Sequence, residues 1–266
     1  MQWSDESGEA GEAARPDESG VYRLVSGPAD PPPLPGNVAV ADTTDELIDR
    51  LAADMLVHAE NCVRSFGDFH VALSGDAALE PLYARLMYDP AFRRLPWRRT
   101  HLWIVSDTCV PEDDPRSLYA PIRETLVDHA DIPPDQVHPM SVDERDADVL
   151  YEADLREALG WREKGHDRLD YVLLAMNDDG GVGGLHGLGE TADRLIVFTG
   201  SDPNSLTMTP ELMNAARMIG IYAVGPGKAA TLRRLASGAT IGELPIERID
   251  PIEGELCWYV DGAACR

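Results

Sequence analysis

The chain has 266 residues, and a hydrophobic share of 44% is enough for one large domain with a buried core. Its 47 acidic residues against 23 basic ones give a net charge of −24, which repels phosphate backbones and anionic lipid, so no nucleic acid and no membrane partner is expected. No apolar run has the length of a membrane span, and the N-terminus lacks the residue order of a signal peptide, so we expect a cytoplasmic protein.

The first 36 residues differ in composition from the rest. They contain seven acids, two arginines and the proline-rich segment PPPLPG, with few residues that could form a core. We therefore predict a disordered acidic tail at 1–36 and one α/β domain at 37–266. The tail could bind a protein partner, although a solvated linker is the simpler interpretation.

Apolar strand-like runs then alternate with amphipathic segments along the whole domain. Many of the strand runs are continuously apolar, which is typical of a mostly parallel sheet covered by helices on both faces, a three-layer Rossmann-like fold. The predicted strands are 38–41, 69–73, 100–106, 169–176, 194–200, 219–225 and 255–262, and the predicted helices are 41–66, 78–89, 116–130, 149–160, 210–218 and 227–238.

Polar and glycine-rich segments follow four of these strands. Because ligands of such sheets bind at the carboxyl ends of the strands, these segments are the candidate site. They are Ser74-Gly75-Asp76, Ser106-Asp107-Thr108-Cys109, the loop at 177–187 and Gly225-Pro226-Gly227-Lys228. A flexible turn and a ligand-binding loop are equally compatible with the residues at 177–187 taken alone.

Known binding motifs do not fit the loop at 177–187. His186 stands where a dinucleotide-binding loop has its third glycine, and neither the end of a P-loop nor the alternating acids of a calcium loop are present. His186 itself is more simply interpreted as a solvent-facing histidine than as a catalytic one. Lys228, one of only two lysines, opens a predicted helix, where free N–H groups favour an anion such as phosphate.

The cysteines and histidines do not suggest a metal centre. Cys62, Cys109, Cys257 and Cys265 form no CxxC pair, and no His/Cys group has the spacing of zinc ligands. We expect reduced thiols, no metal and no cofactor.

These strand ends resemble the 6-phosphogluconolactonase family, and more broadly the glucosamine-6-phosphate deaminase superfamily, from about residue 38 to the C-terminus. The most specific segment is CVPEDDPRSLYAPIRETLVDHADIPPDQVHPM, which is similar to the segment that follows the family's Asp-Glu-Arg-Cys-Val motif. FHVALSG, LDYVLLAMNDDG, AVGPGKAATLRRL and GELCWYVDGAA resemble further family segments in the same order.

The resemblance implies hydrolysis of 6-phosphogluconolactone in the pentose phosphate pathway, without a metal. In that family a histidine after Glu-Asp-Gly is taken as the base that activates water, and lysine and arginines hold the phosphate. Transferred to this chain, the resemblance makes Ser74, Gly75, Asp107, Cys109, Gly180 and Lys228 the candidate substrate-binding residues, with Asp179 as the candidate catalytic residue.

Several family residues are replaced here. Gly181 takes the place of the catalytic histidine, Thr108 and Ser205 take the places of arginines, and Asp76 puts a carboxylate in the phosphate loop. Losing a general base typically costs about 10²–10⁴-fold in rate. We therefore expect weak or absent lactonase activity.

Three hypotheses remain open on the sequence. The first is a lactonase that works by an altered route, with Asp179 orienting water. The second is a non-catalytic homologue that binds a sugar, a sugar phosphate or a protein. The third is a hydrolase for an uncharged or cationic substrate, in a pocket formed by Asp76, Asp107, Asp178 and Asp179.

Overall fold

The computed structural model describes residues 15–16, 22–23, 30–163, 165–191, 193–200, 203–238 and 242–266. Most of the predicted tail at 1–36 lies outside these residues. Packing against the domain begins shortly before the predicted boundary: Leu34 is buried, and the carbonyl oxygen of Pro35 accepts a hydrogen bond of 2.9 Å from Trp258 Nε1.

Strands and helices alternate along the described chain much as the sequence predicts. The strands are β1 (Arg15–Pro16), β2 (Tyr22–Arg23), β3 (Asn37–Ala41), β4 (Phe69–Leu73), β5 (Thr100–Ile104), β6 (Ser106–Thr108), β7 (Val137–His138), β8 (Tyr171–Ala175), β9 (Ile196–Phe198), β10 (Ser205–Met208), β11 (Met218–Ala223) and β12 (Glu255–Asp261). The α-helices are α1 (Thr44–Phe66), α2 (Glu80–Tyr88), α3 (Tyr119–Ile122), α4 (Ala147–Leu159), α5 (Pro210–Asn214) and α6 (Ala229–Ala236).

The main sheet has seven strands in the order β3-β12-β11-β8-β4-β5-β7, and all of its pairs are parallel. Every residue of β4 and β8 is buried, because layers cover both faces of the central strands. The predicted α/β fold is thereby confirmed. Among the described helices, none combines the length and the apolar character that a bilayer span requires.

Helix α1 illustrates how local sequence sets the elements. Thr43 and Glu46 form a capping box, in which Thr43 Oγ1 accepts from the Glu46 N–H at 3.2 Å and the Glu46 carboxylate accepts from the Thr43 N–H at 3.3 Å. Gly67 ends the helix in the left-handed conformation that glycine adopts at low cost. The apolar face between these caps packs on the sheet.

Two predicted helices are shorter than expected. The predicted helix at 116–130 is an α-helical turn, α3, followed by a wider π-helical turn at Arg123–Val127, and Pro121 offers no N–H to a regular helix there. The predicted helix at 210–218 ends at Asn214, and Met218 already belongs to β11. Since Met218 pairs with both Tyr171 and Glu255, pairing within the sheet overrides helix propensity at this point.

A second, antiparallel sheet, β6-β10-β9, is not predicted by the sequence. The run at 100–106 reads as one strand, but the chain changes sheets at Val105. The Val105 N–H bonds to Leu73 of the main sheet at 3.0 Å, and its carbonyl oxygen accepts from the Met208 N–H of β10 at 2.8 Å. The small sheet therefore lies beside the carboxyl ends of the main strands, next to the candidate site.

Candidate active site

The loop after β4 is closed by its own hydrogen bonds. Asp76 caps the short helical turn at Ala77–Leu79, with Oδ1 2.9 Å from the Ala78 N–H. A side chain on Gly75 would overlap the Leu118 carbonyl oxygen, since a Cβ built there lies 1.8 Å from it. The Asp76 carboxylate thus has a structural role, and glycine is required at position 75 by the neighbouring chain.

Asp107 is also engaged by backbone groups. Its Oδ1 accepts from the N–H groups of Thr108 at 2.9 Å and Leu118 at 2.6 Å, and only 4% of the residue is exposed. Burial raises the pKa of Asp107, and the backbone hydrogen bonds act against that shift. Asp107 therefore fixes the segment that contains Leu118, which is the segment that packs on Gly75.

Cys109 is not an activated nucleophile. Its backbone N–H donates to the Asn204 carbonyl oxygen at 2.8 Å, which continues the pairing of the small sheet. Burial raises the pKa of the Cys109 thiol, and the neighbouring Asp107 carboxylate acts in the same direction. A thiol with a raised pKa has little thiolate at neutral pH.

Left-handed backbone and close packing account for glycines in the loop at 177–187. Gly180 has a φ of 82°, and its N–H donates to Asn177 at 3.0 Å. Gly184 has a φ of 71°, and a Cβ built on it would lie 2.6 Å from Ser106 Oγ. At Gly184 the loop passes directly against the small antiparallel sheet, which leaves no room for a side chain, whereas a Cβ on Gly180 would lie 3.3 Å from Leu244 and Thr231.

Lys228 lies at this loop, and it is paired with an acid. Its ammonium group forms a salt bridge with the Asp178 carboxylate, with side-chain exposures of 18% and 68% for the two residues. Gly227 permits this arrangement, since a Cβ at that position would lie 2.3 Å from Asp178 Oδ2. Lys228 directly precedes α6, and Asp178 provides the negative charge that offsets a cation at a helix N-terminus.

A histidine and an aspartate of the same loop lie side by side. Asp179 Oδ1 accepts from the Gly181 N–H at 2.9 Å, and Asp179 Oδ2 lies 3.8 Å from His186 Nδ1. A Cβ built on Gly181 would lie 3.0 Å from Asp179 Oδ1. The His186 imidazole therefore lies beside the Asp179 carboxylate, which is the same group that a side chain at position 181 would contact. The sequence did not favour His186, because the reversal of the loop that returns it to Asp179 depends on left-handed glycines.

Ser74 and Gly75 lie in the loop that follows β4, and the other four predicted substrate-binding residues fall into two groups. Gly180 and Lys228 belong to the cluster of Asp178, Asp179 and His186. Asp107 and Cys109 instead line a separate cavity of about 490 Å³ beside β6. Leu118 links Asp107 to the loop after β4, because its N–H bonds to Asp107 and its carbonyl oxygen packs on Gly75.

One group of side chains in the described residues has the composition of a metal site, namely Asp68, His70 and His101. It does not suit a metal, because Trp103 Nε1 donates to His70 Nδ1 at 3.1 Å and the proton of the neutral ring must then be on Nε2, which faces Asp68. The group lies near the amino ends of β4 and β5, at the opposite end of these strands from the candidate site.

The comparisons with known proteins agree with this fold. Residues 42–258 match the family described as glucosamine-6-phosphate isomerases/6-phosphogluconolactonase. The chain is 30% identical to the 6-phosphogluconolactonase of a Nostoc species, over 85% of this chain and 96% of that protein. It is 31% identical to the human GDH/6PGL endoplasmic bifunctional protein over 90% of this chain, but it spans only 32% of that protein, about a third of its length.

Solved structures show the same architecture. The 6-phosphogluconolactonase of Thermotoga maritima matches with a TM-score of 0.72 and 23% identity, over 85% of this chain and 99% of that chain. A crystal structure of a devB protein matches with a TM-score of 0.76 and 24% identity, over 86% of this chain and 97% of that chain. The chain belongs to the glucosamine-6-phosphate isomerase and 6-phosphogluconolactonase family.

Proposed function

We propose that this protein is a slow lactone hydrolase of the 6-phosphogluconolactonase type, in which His186 and Asp179 replace the family's base. The observation that carries the proposal is the distance of 3.8 Å between His186 Nδ1 and Asp179 Oδ2, in a loop where position 181 has no side chain. Both side chains are exposed to solvent, so water and a substrate can reach them.

The chemistry requires one proton transfer and one bond exchange. Asp179 favours the tautomer of His186 that carries its proton on Nδ1, which leaves the Nε2 lone pair free to accept a proton from water. The resulting hydroxide adds to the lactone carbonyl carbon, the ring C–O bond breaks, and the imidazolium returns its proton to the departing ring oxygen. A separation of 3.8 Å is longer than a hydrogen bond, and catalytic contacts of this kind often tighten only when substrate is bound.

Binding of the substrate phosphate is expected to be weak. Ser205 and Thr108 are directly paired across β10 and β6, so the two positions where the resemblance places arginines meet at one point that now has no positive charge. Lys228 remains near the loop, but Asp178 competes with a phosphate for its ammonium group. We therefore expect a high KM and little preference for the phosphorylated lactone.

The test is hydrolysis of fresh 6-phosphogluconolactone and of unphosphorylated gluconolactone, measured above their spontaneous rates. We expect wild-type protein to accelerate both reactions and His186→Ala to reduce the enzymatic rate by about 10²-fold or more, down to the spontaneous rate. Asp179→Asn should reduce kcat, and Gly181→His should raise it. His129→Ala, an exposed histidine outside the loop, is the matched control and should retain full activity.

Two outcomes would overturn the proposal. Full activity in His186→Ala would mean that another group supplies the base. A wild-type rate equal to the spontaneous rate would favour the second candidate, a non-catalytic homologue that binds a ligand or a partner. The observation that favours a non-catalytic homologue is the salt bridge between Asp178 and Lys228, because neither charge is then free for a substrate.

The third hypothesis, a pocket of four carboxylates for a cationic substrate, has less support. Asp76, Asp107 and Asp179 each accept a backbone N–H, at 2.9, 2.6 and 2.9 Å respectively, and Asp178 pairs with Lys228. Local hydrogen bonding accounts for the positions of these acids without a bound cation.

A further inference from the structure

The cavity of about 490 Å³ beside β6 is distinct from the cluster of Asp179, His186 and Lys228. It lies between the segment after β6 and the segment after β7, so it opens near the edge strand of the main sheet. Val110, Met140 and Val142 supply apolar surface to its walls. Its size is within the range of sites that enclose small organic molecules.

The charged groups of this cavity are acidic, and they differ in their partners. Asp107 is satisfied by backbone N–H groups, and Glu112 forms a salt bridge with Arg123. Asp143 is exposed, and in the described part of the chain no hydrogen-bond or ion-pair partner meets its carboxylate. One negative charge is therefore available at the cavity.

Tyr119 provides a second and independent indication of a ligand. The residue is only 8% exposed and lines the cavity, yet its hydroxyl group meets no hydrogen-bond partner among the described residues. Burial raises the pKa of Tyr119, so the hydroxyl stays protonated and can donate. The side chain is nearly buried and its hydroxyl group is accessible, so a ligand or water in the cavity can hydrogen-bond to it.

We propose that this cavity binds a small organic cation with an ammonium group, a short apolar body and a hydroxyl-type group at its other end. The ammonium group pairs with Asp143, the body covers Val110, Met140 and Val142, and the distal polar group hydrogen-bonds to Tyr119. An anion is disfavoured here, because the charged side chains that line the cavity, Asp107, Glu112 and Asp143, are all acidic. This binding site goes beyond the proposed hydrolysis and shares no residue with its catalytic pair.

The probe for the test is 6-amino-1-hexanol, compared with 1,6-hexanediol and 6-hydroxyhexanoate, which keep the length and the hydroxyl but replace the charge. The full-length protein is titrated and followed by amide chemical shifts. We expect the amino alcohol to bind about tenfold more tightly than either comparison compound, because the loss of one charge-assisted hydrogen bond typically weakens binding by about that factor. The chemical-shift changes should be confined to residues 109–112 and 139–143.

Variants separate specific binding from general attraction to an acidic protein. Asp143→Asn and Tyr119→Phe should each weaken binding of the amino alcohol by about fivefold or more, whereas Asp146→Asn, which removes a nearby exposed charge outside the cavity, should leave it unchanged. Equal affinity for the amine and the diol, shifts located elsewhere, or unchanged affinity in Asp143→Asn would each overturn the proposal. Asp143 is exposed, so its substitution tests the site even if Tyr119→Phe disturbs folding.

Discussion

At the scale of single residues, the candidate site is built from acids that bind the protein's own groups. Asp178 is the most consequential, because its carboxylate holds the ammonium group of Lys228. With 68% of the Asp178 side chain exposed, the pair contributes little to stability. Its effect is instead on ligand binding, since it occupies the cation that a phosphate would need.

Asp178→Asn should therefore improve the binding of a phosphorylated ligand. We expect the Kd for 6-phosphogluconate, measured by calorimetry, to fall by about threefold to tenfold, because the freed Lys228 can make a charge-assisted contact. The free energy of unfolding should change by less than about 1 kcal/mol. Asp113→Asn, an exposed acid with the same charge change, is the control, and equal effects from both variants would contradict a specific role for the pair.

At the scale of elements, the segment that joins β6 to α3 links β6 to the loop after β4. Asp107 accepts the Leu118 N–H, and the Leu118 carbonyl oxygen packs against Gly75 at the end of β4. The sequence identified Asp107 as a strand-end residue, and its capping role depends on a contact eleven residues further along the chain. The Asp107 carboxylate thus braces β6 against the segment that precedes α3, by hydrogen bonds to backbone N–H groups of both.

Removal of this brace should destabilise the fold. Asp107→Ala leaves the N–H groups of Thr108 and Leu118 without an acceptor, and each unsatisfied buried donor costs about 1–3 kcal/mol. We expect the free energy of unfolding, from urea titration, to fall by about 2–4 kcal/mol. The control is Asp113→Ala, on the exposed part of the same segment, which should lower the free energy of unfolding by less than about 0.5 kcal/mol. Similar losses in both variants would contradict the capping role of Asp107.

At the scale of the whole molecule, a row of histidines occupies the last three strands at one edge of the main sheet, β4, β5 and β7. His70, His101 and His138 lie on adjacent strands, and the rings of His70 and His101 stack at 4.3 Å. His101 Nδ1 lies 3.1 Å from His138 Nε2, and His138 Nδ1 lies 2.8 Å from Asp154 Oδ2. Burial lowers the pKa of His101 to about 4 and also lowers the pKa of His138.

Because this row of histidines is buried, we expect the folded protein to lose stability in mild acid. The pKa of a histidine in the unfolded chain is about 6.5. Below that pH the unfolded chain binds protons that His101 and His138 do not bind in the folded protein. The stability from the neutral histidines is therefore fully present above about pH 6.5, and it declines as the pH falls towards 4. We expect the row to reduce the free energy of unfolding by about 1–2 kcal/mol between pH 6.5 and 4.5. Melting temperatures across this range for wild type and His101→Gln measure it: the variant should show a shallower decline, whereas His129→Gln should match wild type.

An equally steep decline in His101→Gln would contradict this account. Acid sensitivity would then arise from carboxylates elsewhere in this acidic chain. His101 was not a candidate in the sequence, because its neighbours in the row come from strands that are about 31 and 37 residues away along the chain, at His70 and His138.

The sequence by itself determined the alternation of elements and most strand positions, because hydrophobic periodicity is local: the run at 69–73 is β4, and the predicted helix at 41–66 is α1. It also placed the candidate site at the strand ends, because every parallel strand directs its carboxyl end to the same edge. Three features depend on tertiary structure alone: the small antiparallel sheet, the contact of His186 with Asp179, and the salt bridge between Lys228 and Asp178. Each of these depends on side chains or strands that meet only after the chain has folded back on itself, and no local pattern encodes such a distance.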